Sequence, residues 1–435
     1  MKDTWKYASS VSRLALAVFG LAVIGISLFL LAGGKFAVLS GFCSALVVLE
    51  VSAWGLTTAL AGKGGVIVKD ATPKITPEML DRFFDSGFDS ELGWIRKANI
   101  SKVDLGKYPY SIDEKGSRSN SEHAFLPSLI GTYGDSYTFC REVEDRETWQ
   151  WSLSENLQVN VLNFGVGNYG FDQTLLRLKR EYEKHPTPIT IMGMVPQGIA
   201  RNLSVWKHYN EFGNILAFKP RFVIENGTLR LIPNPVDEKG KYFRVKDYLK
   251  YIQESDFFFE KRFKKKAFRP PYLISSIAQF SSLVLAFCKG VRLALGRDGK
   301  VSKILDSLIY GHLDSGGVLQ HASLYSDEKA GELLDRLIDE FLEYAKRVNT
   351  IPVLLLLPMR DDFWFIRNRF HFYEPFVEKI KDRLLVIDMA PEFLEADPGE
   401  NLYRIWHLTP VANKIVARVV AEKIRPLVKN ILARA

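Results

Sequence analysis

Two apolar stretches dominate the pattern of hydrophobic and polar positions near the N-terminus. The first, 14–31, reads LALAVFGLAVIGISLFLL without a charge, and the second follows after a short glycine-containing turn. About 20 apolar residues suffice to cross a bilayer. The pattern therefore predicts a helical hairpin within residues 1–62, with spans at about 14–32 and 36–60.

The second stretch contains one carboxylate, Glu50, near its middle. An ionisable residue at membrane depth usually faces a protein partner or water, so Glu50 on a hairpin indicates a membrane-protein partner. The alternative is one span followed by a helix whose Glu50 marks the lipid interface. A cleaved signal peptide and a buried core helix fit less well, because the first stretch is too long for the former and has no polar stripe for the latter.

The number of spans decides the membrane topology. Basic residues flank the hairpin on both outer sides, against Lys35 alone in the turn. By the positive-inside rule, a hairpin keeps both ends of the chain in the cytoplasm, whereas a single span places the large C-terminal part outside. The sequence thus predicts a multi-pass cell-membrane protein and leaves the side of its large domain open.

Beyond residue 62 the apolar stretches become shorter and alternate with polar segments. Residues 63–125 are rich in Asp, Lys, Ser and Gly and are predicted to form a linker that wraps the next domain. Five later runs have the length and composition of strands: Leu126–Tyr133, Val159–Phe164, Ile189–Val195, Val353–Leu357 and Leu384–Ile387. Five segments between or after them are predicted to be helices: 146–157, 171–184, 327–348, 373–381 and 410–431.

Strands that alternate with helices form βαβ units and a buried parallel sheet. The predicted fold is a three-layer α/β/α domain over residues 126–435, with a parallel five-stranded sheet and an insertion at about 197–325. Ligands of such sheets bind at the carboxyl ends of the strands. The loops that follow the strands are therefore where we expect chemistry.

The charge of the chain is unevenly distributed. The 435 residues carry a formal net charge of +8, and the basic run between 261 and 269 contains six of the positive charges. The remainder of the large domain is close to neutral, which excludes a broad nucleic-acid-binding surface. Three cysteines, Cys43, Cys140 and Cys288, are too few for a disulfide framework.

An uncharged stretch, 272–287, follows the basic run. It is shorter than a membrane span. A basic run beside an apolar helix is typical of an interfacial segment on anionic membrane lipid, with about 1 kcal/mol per basic residue near the surface. The alternative is a solvated charge run beside a helix that covers the sheet.

Two residues with nucleophile and base chemistry follow predicted strands. Gly134-Asp135-Ser136 comes after the first strand, where a serine hydroxyl can be exposed just before a helix. His407 follows the fifth strand and precedes Thr409, which can cap the last helix. A serine needs a base, and histidine titrates in the right range. The alternative is a His407 with a packing role.

The loop after the second strand, Gly165–Gly170, matches the pattern G-x-G-x-x-G. After a strand and before a helix, this pattern can bind a dinucleotide, but it then needs an acidic residue about 20 positions later to hold the ribose. Between Glu183 and Glu211 there is none. Plain turn chemistry and backbone amides presented to an oxyanion are the remaining interpretations.

Together these residues resemble the SGNH/GDSL hydrolase family. The similarity lies in Gly134–Ser136 after the first strand, in Asn163–Gly165 with its glycine-rich turn, and in His407 before the last helix. Upstream, Leu92–Trp94 looks like the membrane-anchored bacterial members. The resemblance covers roughly residues 85–430.

The resemblance implies a flavodoxin-like sheet and ester hydrolysis or acyl transfer without a metal or cofactor. It implies Ser136 as the nucleophile that attacks the acyl carbon and His407 as the general base that takes its proton. In the family, the serine amide, a glycine amide of the second block and an asparagine side chain of the third block hold the oxyanion. These positions fall on Ser136, Asn168 and Gln197.

Three positions depart from the family pattern. Asn168 keeps a backbone amide and tolerates a positive φ, while Gln197 keeps an amide donor on a longer arm. The acid three residues before the histidine is replaced by Arg404. A carboxylate would then come from Asp397, Glu400 or elsewhere, or the site works as a Ser–His dyad.

The sequence leads to two functional hypotheses. The first is a membrane-anchored serine esterase or acyltransferase that acts on an O-acyl ester of a glycan or lipid through an acyl-serine intermediate. The second is a non-catalytic membrane scaffold or binding subunit that keeps the fold. The changes at Asn168, Gln197 and Arg404 favour the second, because removing one oxyanion donor costs about 10²–10³ in rate and an altered triad acid about 10⁴.

Overall fold

The chain divides into two compact units. The computed structural model describes residues 35–61, 66–69, 72–103, 108–294, 301, 304–305, 308–309, 315–396, 401–404 and 406–434. The apolar unit lies within residues 1–73, 211–214 and 258–314, and the sheet unit within 74–210, 215–257 and 315–435. The predicted insertion is thus divided between the two units.

The strands of the described residues are mostly short outside the main sheet. In chain order they are β1 (Val68–Lys69), β2 (Phe88–Asp89), β3 (Gly93–Trp94), β4 (Ile100–Val103), β5 (Tyr110–Ile112), β6 (Ser128–Tyr133), β7 (Asn160–Asn163), β8 (Ile189–Met194), β9 (Arg221–Glu225), β10 (Thr228–Ile232), β11 (Ala267–Phe268), β12 (Ile351–Leu356) and β13 (Leu385–Asp388).

The helices include long amphipathic ones and several single turns. In chain order they are α1 (Lys35–Leu60), α2 (Pro77–Gly87), α3 (Ser136–Phe139), α4 (Trp149–Leu157), α5 (Phe171–Tyr182), α6 (Gly198–Arg201), α7 (Lys239–Phe243), α8 (Val245–Ser255), α9 (Lys264–Lys266), α10 (Tyr272–Ala278), α11 (Phe280–Ala294), α12 (Ser315–Leu324), α13 (Glu328–Arg347), α14 (Arg360–Asn368), α15 (Glu374–Ile380), α16 (Ala390–Ala396) and α17 (Pro410–Leu432).

The main sheet has five parallel strands in the order β13-β12-β8-β6-β7. Numbered by sequence within the sheet, this is the order 2-1-3-4-5 of flavodoxin-like folds. The five-stranded parallel sheet predicted from the apolar runs is confirmed, with strand ends that differ from the prediction by at most two residues. The strands are apolar because helices cover both faces, and every residue of β8 is buried.

Helices α4 and α17 pack on one face of the sheet. Trp149 and Leu153 of α4 and Val416 and Val420 of α17 belong to one buried cluster with the strands. On the other face lie α5 and α13, whose Phe171 and Phe341 rings make an edge contact at 6.2 Å. The three-layer α/β/α architecture follows from these two helix layers.

A buried ion pair lies within the sheet unit, between the part of the insertion that belongs to this unit and helix α5. Lys219 Nζ lies 2.5 Å from Asp172 Oδ2 in α5, and both side chains are at most 1% exposed. Lys219 also donates to the carbonyl oxygens of Ser204 and Pro220, so its ammonium is fully hydrogen-bonded. Breaking one partner of a pair buried in this way leaves an uncompensated charge. The start of the insertion is therefore fixed against the helix that follows β7.

The apolar unit contains one helix that is long and apolar enough to cross a membrane, over Gly41–Leu60. This stretch is the second predicted span. The first predicted span, 14–32, lies outside the described residues. The prediction of a two-span hairpin, and with it of a multi-pass protein, is therefore not supported: the described residues provide one such helix.

Helices α10 and α11 are the second membrane-type feature of the apolar unit. Together they are apolar enough for a span, but they meet at an angle of 83°, as in a broken span or a re-entrant loop. Glu50 of α1 accepts hydrogen bonds from the amides of Tyr272 and Leu273 at 2.5 and 2.8 Å. The carboxylate that indicated a partner protein thus finds its hydrogen-bond donors within the chain itself.

Stability in acid is expected to depend on His208. Burial lowers the pKa of His208 to about 4, from an ordinary value of 6.5. Between these two pH values the unfolded chain binds a proton that the folded chain does not, so stability falls as the pH falls through this window. The full effect is about 3 kcal/mol. We expect the melting temperature of the detergent-solubilised chain to fall more steeply from pH 6.5 to pH 4 than that of His208→Gln; parallel curves would contradict this.

Candidate active site

Ser136 lies at the carboxyl end of β6, where the strand passes into a helix. Gly134 and Asp135 form the connection, and Ser136 is the first residue of α3 and 6% exposed. The Asp135 carboxylate caps α3 by accepting the amide hydrogen of Tyr137 at 2.8 Å. At Gly134 a Cβ would meet Thr138 Oγ1 at 2.0 Å, so only glycine lets the strand turn into the helix this tightly.

A buried arginine links the loops that follow the first three strands of the sheet. Arg201 Nη1 lies 3.3 Å from Asp135 Oδ2 and 3.2 Å from the carbonyl oxygen of Tyr169. Its Nη2 donates to Gln197 Oε1 at 3.4 Å. Burial raises the pKa of Asp135, and the positive charge of Arg201 opposes that rise. The loop before Ser136 is therefore held by a charge network rather than by packing alone.

His407 lies beside the residues that flank Ser136. Its ring and that of Tyr137 are 5.2 Å apart, and the histidine is close enough to Asp135 to influence the pKa of that carboxyl. Thr409 caps α17 through the amide of Ala412, as the sequence predicts. The structure thus brings His407 and Ser136 to the same edge of the sheet.

Glu142 is the carboxylate next to the histidine. Its Oε1 lies 3.3 Å from His407 Nδ1, and the two side chains are 15% and 12% exposed. Because this contact is made by Nδ1, Nε2 is the ring nitrogen that could act as a base. Of the sequence candidates, Asp397 and Glu400 lie outside the described residues. Glu142 was missed because it comes six residues after Ser136 instead of shortly before the histidine.

The backbone around Glu142 is held in a strained form. Glu142 has a φ of +72°, a left-handed conformation that costs a residue with a side chain about 1–3 kcal/mol. Arg404 Nη1 donates to the Glu142 carbonyl oxygen at 2.9 Å. Arg118 donates to three neighbouring carbonyl oxygens, those of Phe139, Cys140 and Val143. The two arginines fix the turn that aims the carboxylate at His407.

The predicted oxyanion residues are only partly assembled around Ser136. Asn168 has the expected left-handed conformation, with a φ of +70°, and its carbonyl oxygen accepts from Lys207 Nζ at 3.2 Å. The glycine next to Ser136 is Gly167, where a Cβ would lie 3.8 Å from Ser136 Cβ. The Gln197 side-chain oxygen is bonded to Arg201. Gly167, one residue before the position that the resemblance assigns, therefore lies within contact distance of Ser136.

The upstream Leu92-Gly93-Trp94 segment holds this second loop in place. Trp94 Nε1 donates to the Gly167 carbonyl oxygen at 2.9 Å, and the Tyr169 hydroxyl donates to the carbonyl oxygen of Trp94. Gly93 adopts a φ of +85°, and a Cβ there would lie 2.2 Å from the Phe218 carbonyl oxygen. The segment thus reaches the candidate site through the loop that follows β7.

The first glycine of the G-x-G-x-x-G pattern serves close packing. At Gly165 a Cβ would lie 2.3 Å from the Phe139 amide nitrogen, so the loop after β7 is pressed against α3. This contact explains the glycine without a dinucleotide. None of the three interpretations of the pattern predicted this packing role of Gly165, and presentation of backbone amides is compatible with Gly167.

Two alanine substitutions in this loop should separate packing from chemistry. Gly165→Ala forces its Cβ into the backbone of α3, and we expect it to lower the free energy of unfolding by about 1–3 kcal/mol. Gly167→Ala places its Cβ at ordinary contact distances of 3.8 Å and more, and we expect no loss of melting temperature. Thermal unfolding of both purified variants checks this, and an equal loss in both would contradict it.

Among the described residues, no group of three His, Cys, Asp or Glu side chains is arranged to hold a metal ion. Cys140 and Cys288 are buried free thiols, and Cys43 is an exposed one. Burial raises the pKa of Cys140 to about 12, so this thiol next to the site does not provide a thiolate at neutral pH. Ser136 and His407 remain the candidate nucleophile and base at this edge of the sheet.

No model of a known protein family matches the chain, and no curated protein matches it in sequence. Among solved structures, it is similar to a protein of Desulfitobacterium hafniense DCB-2 assigned to the G-D-S-L family of lipolytic proteins. The TM-score is 0.29 and the identity 14%, with 67% of this chain and 99% of that chain covered. This likeness is too distant to carry an argument, and the flavodoxin-like fold rests on the strand order.

Proposed function

We propose that the protein is a membrane-anchored serine esterase or acyltransferase of the SGNH/GDSL type. The observation that carries the proposal is the convergence of three side chains at one sheet edge. Ser136 begins a helix, His407 contacts its neighbour Tyr137, and Glu142 lies 3.3 Å from the imidazole. Nucleophile, base and orienting acid in this order are the parts of a serine-hydrolase triad.

The proposed reaction has two halves. Ser136 Oγ attacks the acyl carbon of the ester while His407 Nε2 takes the hydroxyl proton, and the alcohol departs with that proton. An acyl-serine remains. In a hydrolase, water then attacks the acyl carbon; in an acyltransferase, an acceptor alcohol does so. His407 takes the proton of the attacking group and returns it to Ser136 Oγ, which regenerates the serine. Throughout, the Glu142 carboxylate orients the ring and stabilises the imidazolium.

The proposed oxyanion site is built mainly from backbone. The amides of Ser136 and of the Gly167–Asn168 turn are the donors we propose, because Gly167 lies within contact distance of the serine. The Gln197 side-chain oxygen accepts from Arg201 Nη2, so its amide nitrogen is the group that could donate to the oxyanion, on a longer arm than asparagine. With few oxyanion donors fixed in place, we expect a modest turnover rate, since each donor contributes a factor of about 10²–10³ to the rate.

Membrane association is the second part of the proposal. Its support is the apolar helix over Gly41–Leu60, together with the bent pair α10 and α11 in the same unit. That pair carries four apolar side chains that are 62–70% exposed: Ile274, Ile277, Phe280 and Phe287. The basic run of residues 261–269 precedes them in the chain. Apolar side chains beside basic residues suit the interface of an anionic bilayer. A substrate ester on a glycan or lipid near that surface fits this anchoring.

Labelling with a fluorophosphonate probe tests the catalytic proposal. We expect the full chain in detergent to form a covalent adduct at Ser136, identified by peptide mass, and the Ser136→Ala variant to form none. Ser323→Ala, which removes an exposed serine of α12, is the matched control and should label like wild type. A well-folded wild type that does not label would overturn the esterase and favour the non-catalytic scaffold.

A further inference from the structure

A largely buried guanidinium lies next to the candidate site. Arg96 follows β3, the strand that ends at Trp94. A Cβ on Gly167 would lie 3.8 Å from Ser136 Cβ and 3.9 Å from Arg96 Nη2. The serine and the guanidinium therefore border the same space, which is open because residue 167 is a glycine. A substrate group in that space can touch both.

The contacts of Arg96 with the described residues do not compensate its positive charge. Its Nη1 donates to the Tyr110 hydroxyl at 3.0 Å, and the guanidinium stacks over the rings of Tyr110 and Phe139. Its Nε is buried without a hydrogen-bond partner among the described residues. No carboxylate is among its described contacts. Burial and three neighbouring arginines, Arg141, Arg118 and Arg177, lower the pKa of Arg96.

The comparison with Arg118 shows that the fold can neutralise an arginine in this region. Arg118 Nε lies 2.8 Å from Asp145 Oδ1, and its other nitrogens donate to carbonyl oxygens. Arg96, whose guanidinium contacts the space at Gly167, has a phenol as its hydrogen-bond partner instead of a carboxylate. A buried charge without a counter-ion costs several kcal/mol. Retaining such a charge beside a nucleophile is expected where a ligand supplies the counter-ion.

We infer that the ester taken by Ser136 carries an anionic group, a carboxylate or a phosphate, that binds Arg96 across the space above Gly167. The inference rests on the proposed function for the identity of the nucleophile. A guanidinium is suited to both groups, since it offers two parallel N–H donors to a carboxylate or phosphate. Arg141, which is exposed and close enough to Arg96 to influence its pKa, adds positive potential. The substrate class is thereby narrowed to acyl esters of acidic glycans or phosphate-bearing lipids.

Three aryl acetates that differ in charge test the inference on the full chain in detergent. The probes are 4-acetoxybenzoate, 4-acetoxyphenyl phosphate and the neutral 4-acetoxybenzamide, and kcat/KM is divided by the rate of hydroxide hydrolysis of each ester. Wild type is expected to prefer at least one anionic ester over the amide by about 10–100-fold, mainly through KM, the range of a charge-assisted hydrogen bond. The better anion tells a carboxylate substrate from a phosphate one.

Variants show whether Arg96 causes the preference. Arg96→Gln should reduce the anionic-to-neutral ratio to about 1, and Arg96→Lys should keep part of it. Arg336→Gln, which removes an exposed arginine of α13, is the matched control and should leave the ratio unchanged. Rising NaCl should lower the ratio of wild type, a measurement that stands even if Arg96→Gln does not fold. An equal kcat/KM for all three esters in wild type, or a ratio that survives in folded Arg96→Gln, overturns the inference.

A binding measurement separates failure of this inference from failure of the proposed function. Titration calorimetry of the Ser136→Ala variant with the same esters needs no turnover. Binding of an anionic ester but not of the amide, lost in Ser136→Ala/Arg96→Gln, supports the anion site even if wild type proves inactive. Equal binding of charged and neutral esters overturns the site even if Ser136 reacts with fluorophosphonate.

Discussion

His407→Ala is expected to lower the turnover of an acetate ester by about 10⁴–10⁶-fold. Without the imidazole, the Ser136 hydroxyl has no base to accept its proton, and the weak nucleophile is left unactivated. What remains is the contribution of the oxyanion donors and of substrate binding. Single-turnover acylation, followed with purified full chain in detergent, measures the loss, and fluorophosphonate labelling should slow in proportion.

The chain offers a close control for the loss of an imidazole beside a carboxylate. His371 lies 3.2 Å from Asp388 at the end of β13, with an exposed fraction of 18% against 12% for His407. A folded His371→Ala variant should keep turnover within about threefold of wild type, because Ser136, His407 and Glu142 are all still present. Equal losses in both variants would mean that the effect is structural, and would remove His407 from the mechanism.

Glu142→Gln is expected to lower turnover by about 10⁴-fold while the protein remains folded. Glutamine keeps the shape of the side chain but removes the charge that stabilises the imidazolium, and its amide can turn an N–H towards Nδ1 and impose the wrong tautomer. The loss should appear in kcat rather than in KM, because Glu142 acts through His407 and does not touch the substrate. Steady-state kinetics of the two parameters checks this.

Two further variants distinguish an orienting acid from a structural one. Glu142→Asp keeps the charge on a shorter arm and should recover part of the rate. Glu144→Gln, two residues away and exposed, removes an equivalent charge without facing the histidine and should change turnover little. A Glu142→Gln variant as active as wild type would indicate a Ser–His dyad, or an acid supplied by another residue.

Local pattern predicted the sheet unit because its elements depend on local composition. The run Ile189–Val195 is apolar at every position, as a strand covered on both faces must be, and β8 occupies Ile189–Met194. Helix α17 begins at Pro410 behind its Thr409 cap, both readable from adjacent residues. The short helix α14 over Arg360–Asn368 was not predicted. Its buried apolar residues, Phe363, Phe365 and Ile366, are covered by contacts that the local sequence pattern does not reveal.

The sequence by itself determined the α/β class, the apolar helix over Gly41–Leu60, and Ser136 and His407 as the candidate nucleophile and base. These follow from periodicity, hydropathy and residue type at strand ends. Only the tertiary structure decided that Glu142 stands beside His407 and that Glu50 is satisfied by the amides of α10. It also decided that Arg96 borders the serine with no carboxylate among its contacts with the described residues. The physical reason is that each of these contacts joins segments whose separation in the chain carries no local signal, and that charge compensation is a property of three-dimensional neighbours.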